Sequence, residues 1–110
     1  MIRGYTTLGQ SKKLSEILSL KSADMHYERV YFEGKQSDWF VKLGTPIKSD
    51  DIIPCWSLAA LLGIYPMVVG RDMDMYCCWQ NRKNLYSRHY NNPVDACYEM
   101  LLKLKEKNLL

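Results

Sequence analysis

Ile53-Pro54-Cys55-Trp56-Ser57-Leu58-Ala59-Ala60-Leu61-Leu62-Gly63 is the stretch on which the arrangement of the chain turns. From Cys55 to Leu62 only Ser57 is polar. A helix lying on a surface shows an apolar stripe, whereas one apolar nearly all round is buried. Asp50 and Asp51 stand just ahead and suit a helix N-terminus. Pro54 fits a first turn, and Gly63, Ile64 and Pro66 form a left-handed stop. The reading is a short central helix packed on more than one side. Trp56 and Leu61 are expected among the most buried residues.

Toward the N-terminus, Thr7-Leu8-Gly9-Gln10 has the form of a capping box. Leu14, Ile17 and Leu18 follow at helical spacing, which predicts a first helix over about residues 8–19. Residues 1–6 read as a frayed arm, tied down by Ile2 and Tyr5. Tyr27 to Glu33 and Asp38 to Leu43 are rich in strand formers and flank Gly34-Lys35-Gln36-Ser37. That pattern predicts a hairpin. Toward the C-terminus, Met67-Val68-Val69 is either a strand or a packed loop, and Gly70-Arg71-Asp72 reads as a turn. Met75 to Gln80 and Leu85 to Tyr90 predict a second hairpin around Asn81 to Asn84. Asn92, Pro93 and Asp95 open a last helix as N-cap, N1 and N3. Val94, Cys97, Leu101 and Leu104 line its apolar face.

The order is helix, hairpin, helix, hairpin, helix. Short turns between strand runs argue for antiparallel pairing, hence an α+β class with a sheet of about four strands packed by three helices. Asp24-Met25 before the first hairpin echoes Asp72-Met73 before the second, a short hint of duplication. The chain has 110 residues, enough for one domain with a core. The net charge of +3 is the difference between 15 basic and 12 acidic residues, which excludes a histone-like polycation. The start lacks the long apolar core of a signal peptide, and the run at 55–62 is too short to span a bilayer, so a cytoplasmic location is expected. Cys55, Cys77, Cys78 and Cys97 form no C-x-x-C pair. They read as free thiols in a reducing compartment, with Cys77 and Cys78 on opposite faces of a strand.

Four segments together resemble a known group. They are Thr6-Thr7-Leu8 through Gln10-Ser11-Lys12-Lys13-Leu14, Ser22-Ala23-Asp24-Met25, Pro54-Cys55-Trp56-Ser57-Leu58, and Asn92-Pro93-Val94-Asp95-Ala96-Cys97. They are similar to short uncharacterised proteins of prophages and mobile elements in Bacteroides-type gut bacteria. The resemblance touches both ends and the middle and carries no known chemistry. It implies an accessory protein of a mobile element.

The residues themselves point to binding rather than catalysis. There is no phosphate loop, dinucleotide fingerprint or nucleophile elbow. His26 and His89 are the only histidines, and a Cys/His site such as Cys78 with His89 would have to be assembled across the fold. Asp50-Asp51 reads as a cap rather than an acid pair. No catalytic residue, metal site or cofactor is assigned. From Tyr76 to Val94 there is no acidic residue, while Arg82, Lys83, Arg88 and His89 sit among Trp79, Tyr86 and Tyr90. That combination suits single-stranded nucleic acid, with charge for phosphates and rings for stacking; the small net charge and the lack of a nucleic-acid motif favour the plainer reading, a hairpin with a positively charged turn and half-buried tyrosines.

With Gly34 to Ser37 as a four-residue loop, Phe32 opposes Trp39 and Val30 opposes Val41 on a core face. Tyr27, Arg29, Tyr31, Phe40 and Lys42 then share the other face. An aromatic and basic cluster of that kind is expected to meet a partner. A partner protein comes first, a second copy of the chain included. Single-stranded nucleic acid is the alternative, and no membrane is involved. In the second hairpin, Trp79, Cys77 and Met75 are placed with Tyr86, Arg88 and Tyr90, and Tyr76, Cys78 and Gln80 with Leu85, Ser87 and His89; which of these faces is buried is left open.

Overall fold

The computed structural model describes residues 2–110. It is mixed α+β with three α-helices, α1 (Leu8–Leu14), α2 (Leu58–Leu62) and α3 (Pro93–Glu106). The strands are β1 (Met25–Glu28), β2 (Tyr31–Phe32), β3 (Lys35–Gln36), β4 (Phe40–Leu43), β5 (Ile52–Cys55), β6 (Val68–Asp72), β7 (Met75–Gln80) and β8 (Leu85–Tyr86). All pairings are antiparallel. The single sheet of about four strands is replaced by two three-stranded sheets, β4-β1-β5 and β6-β7-β8, and a two-stranded hairpin β2-β3.

The central stretch divides where the sequence reading made it continuous. Ile52–Cys55 is an edge strand, not a helix start. Two adjacent β-branched residues favour extended backbone, and an edge strand tolerates Pro54. The helix begins only after Ser57, whose hydroxyl accepts from Ala60 N at 3.1 Å. Asp51 serves β1 instead of capping, as an ion pair to Arg29 at 3.0 Å. Gly63 ends α2 in a right-handed conformation, φ −82°. The expected burial holds: Trp56 and Leu61 are fully buried.

The Thr7–Gln10 capping box forms as read. The first helix stops at Leu14 rather than near residue 19, where Ser15 turns its hydroxyl back onto the Lys12 carbonyl (2.7 Å) and the backbone loosens into turns. The N-terminal arm is built in. Thr6 N donates to Trp56 O and Leu58 N to Gly4 O, and Thr6 is fully buried. Tyr5 anchors it, Ile2 is exposed, and Met1 lies outside the described residues. Asn92 caps α3 by accepting from Val94 N (2.8 Å), with Pro93 in its first turn. Asp95 in the same turn also receives Arg3 (2.6 Å) and Gln10 (2.7 Å), which locks the arm and α1 onto α3.

One hydrophobic core joins Leu14, Ala23, Trp56, Leu61 and Cys78 to the α3 face formed by Val94, Ala96, Cys97, Met100, Leu101 and Leu104. The second sheet lies on this core. Its hairpin has the expected loop, with Gln80 opposite Leu85 and Trp79 opposite Tyr86. Val68 and Val69 are in a strand, and Gly70 to Asp72 continue it. The turn comes later, at Met73 and Asp74, both at positive φ. Beyond Ser87 the pairing slips by one residue, so Tyr76 meets Tyr90 and not His89. Cys78, Gln80 and Ser87 face inward and are buried; Trp79 and Tyr86 face outward.

The first hairpin departs furthest from its expectation. Tyr27 pairs with Val41 and Glu28 with Phe40. Between these strands rides a smaller hairpin, in which Phe32 opposes Lys35 across a two-residue turn, Glu33-Gly34, with φ of 50° and 75°. Two positive φ values in succession are the signature of the tight hairpin turn. Phe32 is therefore not opposite Trp39 in a core; it is 74% exposed.

Candidate binding surfaces

The five residues expected to share a partner face do not share one. Alternation along β1 and β4 puts Tyr27 with Val41 on one side and Phe40 and Lys42 on the other. Tyr27 is half-buried and donates to the Thr6 carbonyl at 2.7 Å. Burial, with the nearby Cys55 and Tyr5, pushes its hydroxyl up to about 12. Arg29 is consumed locally: it lies 4.5 Å above the Trp39 ring and pairs with Asp51. Lys42 pairs with Glu28 at 3.2 Å. Only Tyr31 and Phe40 remain as exposed rings, and Tyr31 belongs to the small hairpin.

What the structure places there instead is a sheet with little cover. From Asp24 to Ile53 only Pro46 is buried. Six of the ten large hydrophobic side chains exposed among the described residues lie in this segment: Val30, Tyr31, Phe32, Phe40, Leu43 and Ile47. Helix α1 and the arm pack at the β5 side, and β4 is the open edge. Gly44 N bonds to Asp24 O at 2.9 Å, so alternation assigns the backbone groups of Phe40 and Lys42 to β1. Those of Val41 and Leu43 point outward from the sheet. Leu43 is 83% exposed.

The second surface is the outer face of β6-β7-β8. Val68, Trp79 and Tyr86 stand directly opposite one another across three strands. The benzenoid edge of Trp79 sits over Gly70, where a Cβ would come within 2.7 Å of the ring. Only glycine leaves room for that approach. A cleft of about 310 Å³ runs beside Trp79 to Arg82, and one of about 450 Å³ adjoins it at Tyr65 and Lys83. Arg88 is held at the far side by Glu99, which accepts from its backbone N–H and from its guanidinium (2.7 Å). Burial opposes the charge on Glu99, yet the Arg88 contacts outweigh it and hold the carboxyl below its ordinary value.

The remaining reactive groups are dispersed. Cys55, Cys77, Cys78 and Cys97 are free thiols. The expected opposition of Cys77 and Cys78 is seen, Cys78 being buried and Cys77 partly exposed. Cys78 meets Cys97 rather than His89, and that contact together with burial raises its pKa. His89 lies 3.4 Å from Asp72, and His26 contacts the Gly44 carbonyl at 2.9 Å. Among the described residues no three His, Cys, Asp or Glu side chains are grouped to hold a metal ion. No described helix is long and apolar enough to cross a membrane. Compared with family profiles, curated proteins and solved structures, the chain matches none.

Proposed function

We propose that the chain is a small protein-interaction module, not a catalyst, and that it self-associates through the open β4 edge of its first sheet. The observation that carries this reading is the concentration of exposed apolar side chains between Val30 and Ile47 on a sheet with so little buried of its own. Contiguous exposed apolar surface marks interaction sites in soluble proteins. Open edges are commonly guarded by lysine, but Lys42 is neutralised by Glu28.

A second copy suits this edge because β4 complements itself. Antiparallel pairing about a two-fold axis at Val41 sets Val41 against Val41. Phe40 then meets Lys42 of the other copy, and Trp39 meets Leu43. No like charges oppose, the rings find apolar or cationic neighbours, and the outward backbone groups of Val41 and Leu43 gain partners. The setting on this reading is the cytoplasm, as an accessory protein of a mobile element. The sequence resemblance and the four unpaired thiols support it. Sedimentation equilibrium tests the proposal. The parent is expected as a dimer of the 12.9 kDa chain. Tyr31→Ser with Phe40→Ser removes only exposed rings and is expected to give a folded monomer. A parent that stays monomeric at high concentration contradicts self-association.

A further inference from the structure

We infer that the outer face of the second sheet is a binding site for single-stranded nucleic acid, with Trp79 and Tyr86 as stacking platforms and Arg82 and Lys83 as phosphate contacts. This site is separate from the first sheet and does not rest on its self-association.

Three observations support it. First, Trp79 and Tyr86 are direct cross-strand neighbours on the outward face, Tyr86 is 53% exposed, and Val68 completes the row. Rings carried side by side on adjacent strands offer successive bases a stacking surface, whatever the base. Second, Trp79 lines an open cleft of about 310 Å³ that reaches Arg82, so the ring and a turn cation border one space.

Third, the charge is polarised along the sheet. Arg82 and Lys83 occupy the exposed β7–β8 turn, and among the described residues neither has a carboxylate within 4.0 Å. Asp74 and Asp72 lie at the opposite, β6–β7 end, next to Arg71 and His89, and Glu99 beside this sheet is paired with Arg88. Strand β7 separates the two ends by roughly 17 Å, beyond a Debye length at physiological salt. A phosphate at the Arg82 end therefore meets cations without the repulsion of those acids. The face suits unpaired bases rather than a duplex, because a paired base has no free ring face to lay on Trp79. Helix α3 packs against the inner side of this sheet, so it cannot enter a groove from the same face.

The test is fluorescence anisotropy of labelled oligothymidylate and oligouridylate with the intact chain at low salt. Binding that weakens as salt rises is expected. Tyr86→Ala alters an exposed ring and is expected to weaken it roughly tenfold, the effect of one lost stacked base. Arg82→Gln with Lys83→Gln is expected to make the slope of log K against log salt shallower by about 1.4, at about 0.7 per phosphate contact. Absence of binding by the parent overturns the inference. So does undiminished binding by a folded Tyr86→Ala chain, or equal affinity for heparin or for duplex of the same length, because the rings then contribute nothing.

Discussion

Trp56 joins the core to the N-terminal arm. It is fully buried, its indole N–H donates to Ser22 (3.0 Å), and its backbone receives the N-terminal arm. Trp56→Ala should cost about 3–5 kcal/mol, as other large-to-small core changes do, measured by chemical denaturation. That is a large part of the ~5–15 kcal/mol typical of a domain. At Gly70 the expected effect runs through a neighbour. Gly70→Ala places a methyl against Trp79 and should shift the tryptophan emission along with a loss of stability. The Arg88–Glu99 contact gives a pH signature. Glu99 has a folded pKa below its ordinary 4.5, so the unfolded chain takes up the proton more readily. Its contribution is complete above the unfolded value and is lost as pH falls through the folded one. Glu99→Gln should flatten the acid side of the stability curve below about pH 4.5 while changing little near neutrality.

Among the elements, those whose signals are local were legible in the sequence. The capping box at Thr7, the Asn92-Pro93 start of α3 and the Asn81–Asn84 loop each depend on residues within one turn, and each forms as read. Failures came where two local signals competed. Gly34 marks a turn, but the turn belongs to a small hairpin inserted between β1 and β4, so counting outward from a four-residue loop gave the wrong partners. The β6–β7 turn is made by Met73-Asp74 with no glycine, leaving Gly70 to be mistaken for it. Gly70 is needed instead for the close approach of Trp79. Ile53 and Pro54 belong to β5 and not to a helix start, because an apolar composition alone does not separate a strand end from a helix start. The candidate partner residues inherited the register error. Aromatic exposure near the first hairpin was legible, but its geometry was not. An element-level expectation follows. Val41→Pro removes an outward N–H that β1 does not use, so helical circular dichroism should survive and association should fail. Loss of the fold would place that N–H inside the sheet.

For the whole molecule, the two halves are unequally consolidated. The core gathers α1, α2, α3, Trp56 and the second sheet, while the first sheet and its small hairpin extend from it with little buried surface. Extents of 52 × 31 × 19 Å describe an elongated body rather than a sphere. An extended sheet with free edge groups is marginal alone and gains from an added strand. The most direct measurement is amide hydrogen exchange at Val41 and Leu43, followed across protein concentration by NMR. Among the described residues of one chain these N–H groups have no strand to bond. Self-association through β4 therefore gives protection at Val41 and Leu43 that rises with concentration, while Phe40 and Lys42 are protected throughout. Fast exchange at Val41 and Leu43 at every concentration, including those where the protein sediments as a dimer, would contradict the account.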